Sequence, residues 1–294
     1  PHFDYGKLRA VQTSKTNAVT DITASSGIDF RHEENKFIEF NREPLIPHMV
    51  SNEGPALATG DINRDGLEDI FFGASRDKKP AIYLQTATGK FIRNPQPALD
   101  NDSLFEDIDA KIIDVNNDNW PDLLIASGGN EFYGPYPHTA PRLYLNNGKG
   151  EFIRKTDAFN EIFMTASCIE PYDFNGDGFV DLFIGGRAVP AEYGKVPHSY
   201  LLLNDRSGGF KDVTNKYSGE LVNAGFVTGA QWVDIDKDGD KDLVLSLEWD
   251  GIKLYTNEKG KFTESFITDK KGWWNFVYPC DIDNDGDIDF IAGN

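Results

Sequence analysis

Apolar residues along this chain come in short runs bounded by Gly, Asn and Asp, and no segment carries a convincing helical period. Runs such as "DAKII", "SCIEPY", "GAQWV" and "NFVYPC" precede a nine-residue acidic stretch, and "IFFGAS", "LLIASGG", "LFIGGR", "LVLSLE" and "FIAGN" follow it. Their length and their β-branched and aromatic content predict buried strands. The acidic stretch between them is then the turn of a β-hairpin. It occurs five times, starting at Asp61, Asp114, Asp173, Asp234 and Asp281, with spacings of 53, 59, 61 and 47 residues. In the first four repeats a second hairpin follows. "AIYLQ", "RLYLN", "YLLLN" and "IKLYTN" lead into Asn/Gly-rich turns, and strands opening on "FIRN", "FIRK", "FKDVT" and "FTESF" close them. Four antiparallel strands in about 50–60 residues make one blade of a β-propeller. The fold class is therefore all-β, a propeller with four complete blades and part of a fifth.

Residues 55–294 hold the repeats; residues 1–54 do not fit them. In that leading part "YGKLRAVQT" and "NAVTDIT" read as outer strands, the latter echoing "KDVT" at 211–214. Residues 22–55 read as a connector with one strand at "KFIEF". Excision from a longer protein is the favoured account of the partial fifth blade; the other is completion of that blade by the N-terminal strands.

The acidic turns share the pattern D-x-[DN]-x-D-[GN]-x-x-D. Positions 1, 3, 5 and 9 are Asp61, Asn63, Asp65 and Asp69; Asp114, Asn116, Asp118 and Asp122; Asp173, Asn175, Asp177 and Asp181; Asp234, Asp236, Asp238 and Asp242; and Asp281, Asp283, Asp285 and Asp289. Position 6 is Gly in four turns and Asn119 in the second, residues that tolerate the left-handed backbone of a tight bend. Such a bend lets the carbonyl of position 7 (Leu67, Trp120, Phe179, Asp240, Asp287) join the side-chain oxygens. An all-oxygen cage of six or seven ligands suits Ca²⁺. Mg²⁺ demands stricter octahedral geometry, and zinc or copper would want His or Cys, which the turns lack. The first six positions also match an EF-hand, but that loop needs Glu at position 12 and flanking helices. Position 12 here is Phe72, Ile125, Ile184, Leu245 and Ala292. Metal-free Asp-Gly hairpins are common; five copies, each with Asp at position 9, favour up to five bound Ca²⁺.

The formal net charge is −19, and 17 carboxylates sit at the four key positions of the turns. Five divalent cations would bring −19 to −9. So acidic a chain is a poor partner for phosphate backbones and anionic membranes, and no apolar run is long enough to span a bilayer. Cys168 and Cys280 read as two buried free thiols.

These turns, with "FFGAS" and "LFIGG" trailing them, resemble the FG-GAP and VCBS-type repeats of integrin-α-like propellers over roughly residues 55–294. The segment "GIDFRHEENKFIEFNREPLIPHM" is similar to the lead-in to such repeats in large bacterial surface proteins. The resemblance implies a calcium-binding propeller, often seven-bladed, on a cell surface or secreted. Asn119 departs from the family's glycine, and the fifth turn lacks its outer strands.

Calcium hairpins should emerge at one end of each blade and the connections from strand two to strand three at the other. The latter are long at residues 128–141 and 185–199 and carry Phe132, Tyr133, Tyr136, His138, Arg187, Tyr193 and His198. Such side chains suit a protein or glycan partner, or pack the loops on themselves. "GWW" at 272–274 reads as local packing ahead of a sugar-stacking platform. The expectation is a non-catalytic, extracytoplasmic binding, adhesion or scaffold module within a chain that carries further domains. The alternative is a polysaccharide-acting lyase or hydrolase, although no H-E-x-x-H or G-x-S-x-G occurs.

Overall fold

In a computed structural model residues 20–294 are described, so "YGKLRAVQT" and the start of "NAVTDIT" lie outside the described residues. Three four-stranded antiparallel sheets come first. They are β1 (Leu57–Gly60), β2 (Asp69–Phe72), β3 (Ala81–Gln85) and β4 (Phe91–Asn94); β5 (Asp107–Ile113), β6 (Asp122–Ser127), β7 (Arg142–Asn146) and β8 (Phe152–Arg154); and β9 (Thr165–Tyr172), β10 (Asp181–Ala188), β11 (Tyr200–Asn204) and β12 (Phe210–Asp212). The fourth sheet comprises β13 (Phe226–Val233), β14 (Asp242–Glu258) and β15 (Lys261–Trp273), and the fifth β16 (Phe276–Cys280) and β17 (Asp289–Gly293). Within each of the first three sheets the strands lie in chain order, the arrangement of a propeller blade. β14 looks like one strand but folds back on itself: the Asn257 amide reaches the Asp242 carboxylate at 2.8 Å, so its two halves supply strands two and three of the blade.

The blades stack through apolar faces, with one core cluster at each successive interface. β6 shows why its sequence is a continuous apolar run rather than an alternating one. Leu123 and Ile125 face the first blade, Leu124 and Ala126 face the third, and all are fully buried. The first strands of successive blades touch one another, β1 to β5, β5 to β9, β9 to β13 and β13 to β16, and so form the inner wall.

The connector is bound to the blades along its length. Phe30 stacks on Phe72 at 4.9 Å, and the Tyr83 hydroxyl donates to Asp29. Glu43 accepts the backbone amides of Ala191 and Tyr193 at 3.2 Å each. "KFIEF" is not a strand: Glu39–Asn41 is a 3₁₀ turn. Its Glu39 is fully buried and accepts from the Ser51 amide and the Asn130 side chain, and this inward carboxylate breaks the alternation a strand would need. The echo between "DIT" and "DVT" continues into structure. Asp21 and Asp212 each accept the amide two residues on at 2.9 Å, and each opens a four-residue helical turn. Both cysteines are free thiols. Cys168 is buried, with burial pushing its thiol up to about 12, whereas Cys280 is only half-buried.

Candidate metal centre

All five acidic turns share one geometry. Position 6 is left-handed, with φ of 86° at Gly66, 70° at Asn119, 87° at Gly178, 100° at Gly239 and 90° at Gly286. One oxygen of the position-1 carboxylate accepts the position-6 amide at 2.7–3.1 Å in every turn. The position-5 carboxylate accepts the position-7 amide at 2.8–3.0 Å. Positions 1, 3 and 5 are thereby aimed into the bend by the backbone itself. Position 4 is left-handed too, at Arg64, Asn117, Gly176, Lys237 and Asn284. Most side chains disfavour that conformation, and three of the four non-glycine residues reach the next turn. Arg64 lies over the Trp120 ring at 5.4 Å, Asn117 donates to the Gly178 carbonyl at 2.9 Å, and Lys237 pairs with Asp287 at 2.7 Å.

Position 9 has a second task. Asp69, Asp122, Asp181 and Asp242 are buried, and one oxygen of each accepts the amide of a residue at the end of strand three: Gln85, Asn146, Asn204 or Asn257. In the first, second and fourth turns the other oxygen accepts the position-2 amide. The carboxylate thus ties three strands at the base of the turn, each oxygen keeping a further lone pair. The Asn that ends strand three then bridges blades. Asn146 donates to the Ile62 carbonyl at 2.9 Å, Asn204 to Val115 at 2.8 Å and Asn257 to Phe174 at 3.5 Å. Sequence reasoning took these Asn residues as turn formers; their recurrence as "YLN", "LLN" and "YTN" was the available signal.

The fourth and fifth turns differ from the first three. Asp234, Asp236 and Asp238 each bring a carboxylate oxygen within 4.8 Å of the others, and so do Asp281, Asp283 and Asp285. In the first three turns the other position-1 oxygen accepts the position-5 amide. In the fourth, Asp234 Oδ1 is buried and has no partner. A buried acceptor left bare among three like charges is a costly arrangement and fits a hard divalent cation. Such an ion would be held by positions 1, 3 and 5 with the lone pairs of position 9, and would supply the missing positive charge.

At the opposite end the six candidate ligand-face residues fall into four places. Tyr136 stacks on Phe132 at 4.2 Å, and both pack against His138, which burial and Arg154 hold below its ordinary pKa. Tyr133 is exposed over the Arg42 guanidinium. His198 is half-buried and stacks on Tyr200 at 4.1 Å. Arg187 corrects its expectation: it lies in β10, is 5% exposed, and pairs with Glu53, Glu248 and His48 rather than presenting itself on a loop. A guanidinium near the axis is held there because carboxylates from the connector and the fourth blade converge on it. Tyr193 is exposed and adjoins this network, its hydroxyl accepting from Trp249 Nε1 at 2.9 Å.

Several solved structures are similar to the chain. The chain is 14% identical to the V. cholerae biofilm matrix protein Bap1, covering 83% of this chain and 34% of that one, with a TM-score of 0.39. It is 12% identical to a putative exo-β-1,3-galactanase from Bifidobacterium bifidum s17, covering 77% of each chain, with a TM-score of 0.42. Against the Photorhabdus luminescens Tc holotoxin pore it is 16% identical over 82% of this chain and 11% of that one, with a TM-score of 0.39. The chain thus spans about a third of the biofilm protein and a ninth of the toxin chain. Comparison with curated proteins finds no match. The FG-GAP-like repeat pattern matches residues 61–125, 114–184, 173–245 and 234–292, each match running from one acidic turn into the strand after the next, and the chain belongs to the FG-GAP-like repeat family.

Proposed function

We propose that this chain is a calcium-stabilised, propeller-type module that binds a protein or glycan partner, or scaffolds further domains, outside the cytoplasm. The observation that carries the calcium part is the bare, buried Asp234 Oδ1 beside the clustered Asp236 and Asp238. Calcium there neutralises charges that otherwise repel and pins the inner strand of a blade to the next strand, so that binding adds directly to folding stability. External millimolar Ca²⁺ fills weak sites that cytosolic levels leave empty, which favours an extracytoplasmic setting. Among the described residues no helix is long and apolar enough to cross a membrane. The binding part draws on the far end, where the two long loops flank an open cleft of about 460 Å³ lined by Pro135, Met164, Val189, Pro190, Lys195 and His198.

Thermal unfolding tests the calcium part. Each site at 100-fold excess over its dissociation constant adds about 2.7 kcal/mol, so EDTA should lower the melting temperature by on the order of 10 °C. Calcium should restore it and equal Mg²⁺ should not. An unchanged melting curve on chelation refutes the cage. Protein and glycan arrays probed in calcium test the binding part; silence on both would leave only scaffolding.

A further inference from the structure

Beside the buried Arg187 network lies a cup at the loop end of the inner wall. It holds about 300 Å³ and is lined by Glu53, Ile108, Ser167, Arg187, Thr228 and Asn275. Four of these stand on or just before the first strands of the second to fifth blades, so the cup lies where those strands converge. Its lining offers hydroxyls, an amide and a carboxylate around one small apolar patch. Volumes of about 300 Å³ are at the small end for small-molecule sites.

A row of aromatic rings leads away from it by way of His48, which touches the cup's Arg187. Trp249 sits where β14 turns back, at φ 66°, a conformation seldom adopted by a bulky residue. The indole is 50% exposed. It meets Trp273 edge-on at 4.9 Å and donates Nε1 to the Tyr193 hydroxyl, itself on a residue 41% exposed. Trp273 in turn lies 5.7 Å from His48, whose ring is 2.9 Å from the Arg187 guanidinium. Two separate elements, β15 and the loop of residues 185–199, therefore fix the indole, yet the residue stays half exposed. Backbone strain retained to hold an exposed, immobilised aromatic marks a functional surface. Trp274, by contrast, packs into the core between the fourth and fifth blades, so the two halves of "WW" have different roles.

We propose that the cup and the Trp249–Trp273–Tyr193 platform bind a neutral oligosaccharide, one hexopyranose ring laid on the indole and a neighbouring ring's hydroxyls turned into the cup. The inference rests on the reading of the chain as a binding module and names the ligand class of that module. A pyranose has an apolar C–H face and a rim of hydroxyls that need donors and acceptors side by side, and the platform and cup provide these. Neutrality follows from charge. Arg187 is already engaged by Glu53 at 2.6 and 2.7 Å and by Glu248 at 2.7 Å, leaving no unpaired cation among the residues that line the cup for a uronate or sialate. The exposed Glu53 edge would repel either.

The test titrates the calcium-loaded protein with cellotriose, laminaritriose and β-1,4-galactotriose, with trigalacturonate and 3′-sialyllactose as controls, following indole fluorescence and binding heat. At least one neutral trisaccharide should bind and shift the emission, and the acidic ones should not. Trp249→Gly suits the left-handed backbone and should weaken binding at least tenfold with the melting curve unchanged. Asn275→Ala, at an exposed position in the cup, should weaken it severalfold and serves if Trp249→Gly fails to fold. Neutral-sugar binding that survives both substitutions, or preference for the acidic probes, overturns this site while leaving the binding module intact. Failure of every trisaccharide overturns it too. Protein-array hits would then uphold the module, and loss of calcium-dependent melting would refute the calcium part separately.

Discussion

The two ends of the blades handle charge in opposite ways. At the turn end, carboxylates cluster with like carboxylates near the surface and the chain supplies few counter-charges. Lys237 and Arg206 each reach one Asp, and those pairs are exposed. At the loop end the charges are buried and the chain brings its own partners. Arg142 pairs with Asp107 in full burial under the Phe105 ring, and Arg187 is enclosed by Glu53 and Glu248. The acidic turns thus lack counter-charges of their own, whereas the Arg142 and Arg187 guanidinia find theirs within the chain. Stability of the first should follow calcium, and that of the second should follow mutation and pH.

The largest effect expected at the loop end comes from Arg142→Met. Removing one partner of a buried pair leaves Asp107 uncompensated, which costs about 3–5 kcal/mol. Denaturant melts should show this loss with and without calcium; rescue by calcium would erase the distinction between the ends. At the turn end, Asp236→Asn reproduces what Asn63, Asn116 and Asn175 already supply. It should weaken calcium at the fourth turn about tenfold, or ~1.4 kcal/mol, read by titration of the single variant. Asn63→Asp should strengthen the first turn, and unchanged affinity in both would show that the third carboxylate is immaterial.

A pH experiment sharpens the comparison further. Glu106, buried beside Glu131 and Glu34, is raised from 4.5 to about 9, chiefly by burial, and one of its oxygens has no partner. With its folded pKa raised, the folded state holds a proton that the unfolded state releases. The associated stability is present below about 4.5 and falls as pH rises toward 9, by up to ~1.4 kcal/mol per pH unit. Glu106→Gln should flatten that slope, so the variant gains on the unmodified protein as pH increases. A parallel pair of stability–pH curves would contradict it. The smallest effect is expected from Gly176→Ala. Its added Cβ meets open space, so only the left-handed backbone is strained, at about 1 kcal/mol.

Much of the turn end was legible in the sequence because its geometry is local. An Asp that accepts the amides of residues four and five places ahead builds the bend from within nine residues, so the nonamer states its own shape. The glycine-like sixth position follows from the same bend. The left-handed fourth position was not legible, since Arg, Asn and Lys there are justified by contacts with the next blade's turn. Nor was the dual task of position 9, whose amide partner lies 15 to 24 residues away.

By itself the sequence determined the strand pairs, the hairpin turns, the blade repeat and the shape of the acidic turns, all fixed by side-chain periodicity and by hydrogen bonds across short separations. Tertiary structure alone decided which residues meet at the loop end. Glu53, Arg187 and Glu248 are each more than 60 residues from the next along the chain, and nothing local to any of them specifies the others. Their convergence, and the Trp249 platform beside it, exists because stacked blades bring the ends of successive strands to one axis. Repetition writes the blade into the sequence, whereas the unrepeated loops acquire their chemistry only where the blades meet.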